Sequence, residues 1–495
     1  MAEKDVIILV SVIGLGLLLL FMFSGAYDKL RRRMEPESDH TRAFVDQLNT
    51  RLNRNVELQE AQEEAQHKAQ LAAIEAEAAA APVTATVEPA AEPEPEEITY
   101  PKLRDHLRTE HMVIVGSPGS GKSQTLQSLI LDDLETNASI IVIDSQAALI
   151  DNLLNVVPAN RLVHLTPSDK LYPVALNMFQ RDQDSSLYEY IFSSNSEALT
   201  PKMAMVYRYV SRLVSVIPNG TIDTMRAILE KGGLAKYQQY VNQLPPIAQD
   251  FFTNEFSTRA YEETKQGVLR RLYSLLENDV FLSMFTANQN KVNIAKEIEE
   301  GKVILIDTAK RTLGGEAYKI FGRFFIAQVS RAVFSRQHPY PHRVYLYIDE
   351  FADYAGDEGF IEELLTQARK WNVGVIIAFQ FLAQMPDRVL RAILSNTAIK
   401  MVGSVASADR RAMASEMGLE PEVLGALKKG EFAIHYKGEG AYRWLVNLGR
   451  LERLGKRSRD ELDAIRHQMR EKYSVLAGLK YTPPEDDDGM VEEEN

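Results

Sequence analysis

Seven short apolar runs mark the chain from residue 112 onward, and longer stretches with helical spacing of apolar residues separate them. Strands of a parallel sheet are buried on both faces, so they read as continuous apolar runs, and helices connect them. The pattern therefore predicts an α/β fold with a parallel sheet covered on both faces. The predicted strands are Met112–Val115, Ser139–Ile143, Arg161–Leu165, Val303–Ile306, Val344–Ile348, Val373–Phe379 and Ile399–Val402.

The strand pattern disappears between residues 184 and 290, where helical periodicity takes its place. Apolar residues there recur as on one face of a helix, and Leu244-Pro245-Pro246 interrupts the run. We therefore expect an all-α domain inserted into the α/β domain. The predicted helices are Met203–Val216, Thr221–Lys231 and Tyr261–Glu277 in this region, and Arg459–Tyr473 near the C-terminus.

An uncharged and almost wholly apolar stretch, Val6 to Phe23, lies near the N-terminus. Its length matches a helix that spans a bilayer. A cleaved signal peptide is the alternative, but such peptides have a basic N-terminal flank and a shorter apolar core. Here the basic residues Lys29 and Arg31 to Arg33 follow the stretch, and the positive-inside rule then places the rest of the chain in the cytoplasm. We expect a single-pass anchor over residues 1–28.

A long segment rich in Ala, Glu and Gln follows the predicted anchor. Ser38-Asp39 is a suitable helix cap, and Phe44, Leu48, Leu52 and Val56 form a narrow apolar stripe. This pattern predicts a helical stalk, which is either solvated or part of an oligomerising coil. The composition then changes to Pro, Ala and Glu, which is typical of a disordered linker.

The net charge of −13 is unevenly distributed, because residues 1–100 and the acidic C-terminal end hold the excess of acids. Residues 101–481 carry a net charge of +3, so the acidic total does not argue against a nucleic-acid partner. The absence of cysteine excludes disulfides and thiolate metal sites.

The predicted organisation is a transmembrane anchor (1–28), a helical stalk (29–81), a disordered linker (82–98), a nucleotide-binding α/β domain (99–183 and 291–450), an inserted all-α domain (184–290), a C-terminal helical segment (451–481) and an acidic tail (482–495).

A complete phosphate-binding loop of the form G-x-x-x-x-G-K-S lies between the first predicted strand and a predicted helix, Gln124–Glu135. Its glycines allow backbone N–H groups to surround phosphate oxygens, and the helix N-terminus adds its positive dipole. Lys122 is expected to reach the β- and γ-phosphates, and the Ser123 hydroxyl is expected to ligate Mg²⁺. The predicted nucleotide-binding residues are Gly116, Ser117, Pro118, Gly119, Ser120, Gly121, Lys122, Ser123 and Gln124.

Two acids end the predicted strand Val344–Ile348. Phosphoryl transfer to water needs a metal ion and a polarised nucleophile near the γ-phosphate. We assign Asp349 to the Mg²⁺ ion, through its water shell, and Glu350 to the orientation or deprotonation of the attacking water. The alternative for such a pair is a solvated acidic turn, but the phosphate loop upstream favours ATP hydrolysis.

Three further residues are candidates for the same site. Gln380 ends the next predicted strand, where it can sense the γ-phosphate or position water; an ordinary polar strand end is the alternative. Arg369 precedes that strand, and ring-forming hydrolases commonly complete their site with an arginine from a neighbouring subunit. A surface base explains Arg369 nearly as well, and Arg410 and Arg411 are weaker candidates. Asp144 ends the second predicted strand, where it either contacts nucleotide or water or forms a turn.

Basic residues cluster near the end of the α/β domain, where they could face phosphate backbones. Solvated helix faces are the simpler interpretation, and no groove-reading motif accompanies them. Any DNA contact is therefore expected to be mostly to the backbone and largely independent of sequence. The basic residues are Lys428, Lys429, Arg450, Arg453, Lys456, Arg457 and Arg459.

The order of these motifs resembles the HerA/FtsK superfamily of ring ATPases, and within it the coupling proteins of type IV secretion. The most particular stretches are Asp349-Glu350-Phe351-Ala352 and the segment Leu365–Gln380. The other matching pieces are Gly116–Ser123, Ile143-Asp144, Ala175–Met178, Glu300–Asp307, Ser395–Lys400 and Asp409–Arg411.

This resemblance implies a homo-hexameric ATP-driven motor at the bacterial inner membrane that passes DNA, or a DNA–relaxase complex, to a conjugation channel. The implied partners are DNA, relaxosome or other substrate proteins, and components of the secretion channel. A DNA translocase or protein-export ATPase outside conjugation is the alternative motor. A nucleotide-gated scaffold without turnover is the third hypothesis, which the presence of Lys122, Ser123, Asp349 and Glu350 disfavours.

Overall fold

A nine-stranded sheet forms the centre of this computed structural model, which describes residues 103–179, 186–193, 199–288 and 290–477. Its strands, in chain order, are β1 (Met112–Val115), β2 (Ser139–Asp144), β3 (Leu162–Leu165), β4 (Val303–Asp307), β5 (Val344–Ile348), β6 (Val373–Phe379), β7 (Ile399–Val402), β8 (Glu431–Tyr436) and β9 (Gly440–Leu445). The strand order across the sheet is β3-β4-β2-β5-β6-β1-β7-β8-β9.

The predicted parallel sheet is confirmed for β1 to β7, which pair in parallel throughout. All residues of β1, β2, β4, β5, β6 and β7 are buried. Helices cover both faces, which is why these strands are continuously apolar rather than alternating. Two further strands were not predicted: β8 and β9 form an antiparallel hairpin beyond β7. β9 is largely exposed, so its sequence lacks the apolar run of a buried strand.

Seventeen α-helices occur among the described residues. They are α1 (Lys122–Leu134), α2 (Ala148–Leu153), α3 (Ser186–Phe192), α4 (Pro201–Val216), α5 (Ile222–Leu229), α6 (Gln238–Val241), α7 (Pro246–Asp250), α8 (Arg259–Leu276), α9 (Asp279–Phe285), α10 (Ile294–Glu299), α11 (Lys310–Leu313), α12 (Ala317–Phe334), α13 (Glu358–Gln367), α14 (Asp387–Asn396), α15 (Ser407–Met417), α16 (Pro421–Gly425) and α17 (Arg459–Tyr473).

The described part of residues 186–299, between β3 and β4, consists of helices and turns, from α3 to α10. Thr200 begins α4 by accepting a hydrogen bond from the Met203 backbone N–H, and Pro201 occupies the first turn. The side-chain amide of Asn177 donates to the carbonyl oxygens of Gly220 and Ala287, at 2.9 and 3.1 Å, and so ties the entry of this region to its exit. The helices agree with the predicted ones; their status as a separate inserted domain stays a prediction.

Helix α17 has the bounds that its sequence predicts. Ser458 and Glu461 form a capping box at its start. Near its end, the Met469 sulfur accepts from the His164 N–H on β3, and the Tyr473 carbonyl accepts from the Ala175 N–H. Among the residues that the structure describes, no helix combines the length and apolarity needed to cross a bilayer. The predicted anchor (1–28), stalk (29–81), linker (82–98) and acidic tail (482–495) lie outside those residues.

Candidate functional site

The phosphate loop connects β1 to α1, which begins at Lys122. Gly119 and Gly121 adopt positive φ angles of 82° and 104°, a region that favours glycine. A Cβ atom on Gly121 would lie 3.3 Å from the backbone of Gly430, so the close approach of that segment also requires glycine. The loop is further held by the Ser117 N–H, which donates to the Ser404 carbonyl at 2.9 Å. The 13-residue helix α1 begins directly after the loop, and its N-terminus is suited to bind an anion.

The sheet order brings the acidic pair to the same edge as the phosphate loop. β6 lies between β1 and β5, and all three strands run in parallel, so their carboxyl ends share one edge. Val115 at the end of β1 pairs with Phe379, and Ile348 at the end of β5 pairs with Ile377. Asp349, Gln380 and the phosphate loop therefore follow three neighbouring strand ends.

Lys122 and Asp349 are in direct contact. The Lys122 Nζ atom lies 2.5 Å from Asp349 Oδ1 and 3.7 Å from Glu350 Oε2. The Ser123 hydroxyl is 3.4 Å from Asp349 Oδ2. Lys122, Asp349 and Glu350 are all buried, with exposed fractions of 8%, 6% and 9%. Low solvent exposure strengthens such charge–charge contacts, and here it concentrates one cation and two anions beside the loop.

Glu350 leaves the sheet in a strained conformation. Its φ and ψ are 51° and 48°, in the left-handed region that non-glycine residues rarely adopt. Its backbone N–H donates to Asp349 Oδ1 at 2.9 Å, which supports the turn. Strain of this kind costs on the order of 1–3 kcal/mol and is concentrated at functional sites.

The predicted residue Gln380 reaches the acidic pair. Its side-chain amide donates to Glu350 Oε2 at 2.9 Å. Sequence reasoning missed a second amide, Gln384, which donates to Glu350 Oε1 at 3.1 Å. The signal that could have identified it is its position four residues after Gln380, in a short turn that bends back toward the strand ends.

Asp144 is almost fully buried and acts as a turn former. Its carboxylate accepts hydrogen bonds from the backbone N–H groups of Gln146 and Leu149, at 2.8 and 3.2 Å. Burial, with a smaller contribution from the nearby Asp349 carboxylate, raises the pKa of Asp144 to about 7. Of the two predicted roles, these contacts support the turn.

Gln124 connects the phosphate loop to the segment that follows β9. Its side-chain oxygen accepts from the Gly449 N–H, and its amide group donates to Glu452, both at 2.7 Å. Sequence reasoning assigned Gln124 to the nucleotide but did not place residues 447–457 at the site.

The same segment contains several of the predicted basic residues, and they have partners within the protein. Arg450 forms ion pairs with Asp132 and Glu135, and Arg457 donates to backbone carbonyl oxygens that follow α2. These arginines therefore do not lie on a solvated helix face, as the sequence suggested. They fasten this segment to α1 and α2.

Arg369 lies away from the site within the chain. It is exposed in a 3₁₀ turn, Ala368–Trp371, before the start of β6, whereas Gln380 follows the end of β6. Seven residues of strand separate the two positions by roughly 20 Å. Arg410 and Arg411 lie in α15, which follows the carboxyl end of β7, the end of the strands at which the phosphate loop lies. Arg411 is exposed and Arg410 is half-buried.

Comparison with known proteins supports the class of protein that the motifs predict. Residues 102–320 match the family model described as the central domain of the helicase HerA. No curated protein matches the sequence. The match to the HerA central domain confirms the resemblance to HerA/FtsK ATPases that the motifs predict, and it supports an ATPase.

Solved structures similar to this chain include three of the plasmid coupling protein TrwB. An unbound form has a TM-score of 0.56 at 14% identity, and the complex with the GTP analogue GDPNP has a TM-score of 0.56 at 16% identity. The complex with ADP and Mg²⁺ has a TM-score of 0.55 at 14% identity. Each match covers 72% of this chain and 88% of TrwB. The chain therefore shares the fold of TrwB over the matched residues.

Proposed function

We propose that this protein is a membrane-anchored ring ATPase that couples ATP hydrolysis to the transfer of DNA, or a DNA–protein complex, into a type IV secretion channel. One observation carries the ATPase part: Lys122 and Ser123 of the phosphate loop and the Asp349–Glu350 pair meet at one sheet edge, with the Lys122 and Asp349 side chains 2.5 Å apart. A glycine turn without function does not require a lysine and two acids to be buried together.

The residues at this edge have distinct roles in the proposed reaction. Backbone N–H groups of the loop hold the phosphates, and Lys122 moves from Asp349 toward the β- and γ-phosphates when ATP binds. Glu350 orients the attacking water and accepts its proton, while Gln380 contacts the γ-phosphate or that water.

The Ser123 hydroxyl and the Asp349 carboxylate fit a Mg²⁺ ion, because hard oxygen ligands suit this ion and the two oxygens lie 3.4 Å apart. The ion, when bound, neutralises phosphate charge. Ser123 would hold it directly, and Asp349 would hold it through water. The TrwB complex with ADP and Mg²⁺, which shares this fold, supports the assignment.

A ring explains how Arg369 could take part. Arg369 lies at the end of β6 opposite the loop, roughly 20 Å from Gln380, which is too far to contact the site of its own subunit. We therefore propose a homo-hexamer in which each site receives Arg369 from its neighbour. The hexamer number rests on the resemblance to coupling proteins.

The membrane and the cargo form the finer part of the proposal. The apolar stretch 6–23 and the basic residues after it support a single-pass anchor in the bacterial inner membrane with a cytoplasmic ATPase domain. The resemblance of the motifs to coupling proteins supports DNA as cargo, bound through its backbone, and relaxosome and channel proteins as partners. The shared fold with TrwB, a bacterial conjugative coupling protein, agrees with this. Residues 184–290 are proposed as the helical domain that receives the substrate.

ATPase assays on the full chain in detergent test this function. Hydrolysis should be stimulated by single- or double-stranded DNA and should be lost in Lys122→Ala. Stimulation by a secreted protein but not by DNA would favour protein export. ATP binding without hydrolysis in the unmodified chain would favour the scaffold.

A further inference from the structure

The carboxylate of Glu350 is held at both oxygens by two amides from one turn. Gln380 donates to Oε2 at 2.9 Å, and Gln384 donates to Oε1 at 3.1 Å. A carboxylate has about four acceptor positions, so both hydrogen bonds leave room for a water molecule. The proposed function requires only that Glu350 faces that water, and does not explain the second amide.

The orientation of the Gln384 amide is fixed by its own contacts. Its side-chain oxygen accepts from the backbone N–H groups of Gln380 and Phe381, at 2.9 and 3.2 Å. Because those donors occupy the oxygen, the NH₂ group must face the Glu350 carboxylate, which can only accept when ionised.

The turn that carries Gln384 is anchored on its other side. Asp409 of α15 is buried, and its carboxylate accepts from the Leu382 N–H at 3.3 Å. Gln384 ends the 3₁₀ turn Leu382–Gln384. The donor is therefore presented to Glu350 from a braced element rather than from a free loop.

A competing attraction makes this brace relevant to catalysis. Lys122 Nζ lies 3.7 Å from Glu350 Oε2, and glutamate has several rotatable bonds. Without a donor on the far oxygen, the carboxylate can rotate toward the lysine and away from the water. The neutral Gln384 amide holds the ionised Glu350 carboxylate without adding a charge.

We propose that Gln384 is a positioning residue for ATP hydrolysis, which acts by donating to Glu350 Oε1. This inference rests on the proposed ATPase function. It extends the site to a residue in the turn after β6. The side-chain oxygen of Gln384 holds the backbone of that turn, and its NH₂ group orients Glu350.

Two substitutions separate these two tasks. Gln384→Glu keeps an oxygen for the Gln380 and Phe381 N–H groups but replaces the donor with an acceptor that repels Glu350. Gln384→Leu removes both contacts. The control Gln337→Glu makes the same charge change on an exposed side chain before β5, at the opposite edge of the sheet.

We expect Gln384→Glu to lower kcat about tenfold to a hundredfold, with the KM for MgATP changed less than about twofold, because a hydrogen bond to a charged group is lost at the reacting end only. Gln384→Leu should lower kcat as well, and Gln337→Glu should match the unmodified chain. Thermal unfolding of Gln384→Glu should stay close to that of the unmodified chain.

A purely structural role gives a different result. In that case Gln384→Glu retains full kcat, whereas Gln384→Leu loses activity together with thermal stability, and the proposal is overturned. If the unmodified chain hydrolyses ATP but kcat in Gln384→Glu is unchanged, only this inference fails. If the unmodified chain does not hydrolyse ATP at all, the proposed function fails with it.

Discussion

The Tyr347 hydroxyl donates to Asp133 Oδ2 at 2.5 Å and so joins the strand of the acidic pair to the helix of the phosphate loop. Tyr347 lies on β5, two residues before Asp349, and Asp133 lies near the end of α1. The buried guanidinium of Arg108 contacts both side chains and lies over the Tyr345 ring. The helix of the phosphate loop and the strand of the acidic pair are therefore joined twice, by Lys122 and Asp349 at the site and by Asp133 and Tyr347 away from it.

Tyr347→Phe should destabilise the protein, because it leaves the Asp133 carboxylate with one donor fewer in a buried site. The loss is expected to be about 1–3 kcal/mol in the free energy of unfolding. Chemical denaturation measures it. Tyr345→Phe, which keeps the ring under Arg108, is the matched control and should change stability less. Equal losses in both variants would contradict a specific role for the Tyr347 hydroxyl.

Glu350→Gln should separate nucleotide binding from hydrolysis. The amide cannot accept a proton from water, so the turnover number should fall by about 10²–10⁴-fold while ATP still binds. Lys122→Ala should instead weaken binding as well, since it removes the cation that contacts the phosphates. Equilibrium binding of a fluorescent ATP analogue, with steady-state hydrolysis, distinguishes the two. Retained turnover in Glu350→Gln would show that another group activates the water.

His111 should make the folded state sensitive to acid. Its Nδ1 accepts from the Val375 N–H at 3.0 Å, and its Nε2 lies 2.7 Å from the Leu365 carbonyl, so the neutral ring satisfies both. Burial lowers the pKa of His111 to about 4. Between about pH 6.5 and pH 4 the unfolded chain binds more protons than the folded one, so stability falls as the pH falls.

His111→Gln tests this pH dependence. The variant should be less stable than the unmodified chain at pH 7, and the difference should shrink toward pH 4 by at most about 1.4 kcal/mol per pH unit. Some acid sensitivity should remain, because burial also lowers the pKa of His164 to about 4. Denaturation curves at several pH values measure it, and a difference that stays constant with pH would argue against the titration of His111.

Removal of residues 1–28 should release the protein from membranes, because it removes the apolar stretch 6–23. Fractionation of cells that express the full and shortened chains measures the distribution. Lys122→Ala in the full chain is the control and should remain with the membrane. Retention of the shortened chain at the membrane would indicate a second attachment.

Much of the sheet and of the site follows from local sequence. The β1, β5, β6 and β7 bounds match the apolar runs, since strands that are buried on both faces are apolar along most of their length. Asp349 and Gln380 were identifiable because polar residues that end parallel strands gather at one edge.

Other features depend on contacts between distant residues. The β8–β9 hairpin was missed because one of its strands is exposed and lacks an apolar run. The Arg108–Tyr347 contact joins residues 239 positions apart, and no local pattern indicates such a pair. Gln384 looks like any surface glutamine until the turn brings it back to Glu350.

The link between Gln124 and Glu452 spans 328 positions of sequence. A growing polypeptide therefore leaves the ribosome with its phosphate loop long before residues 449–452 are made. Gly449 and Glu452 therefore contact Gln124 only near the end of translation. A chain that ends before residue 447 lacks these contacts even if its sheet has folded.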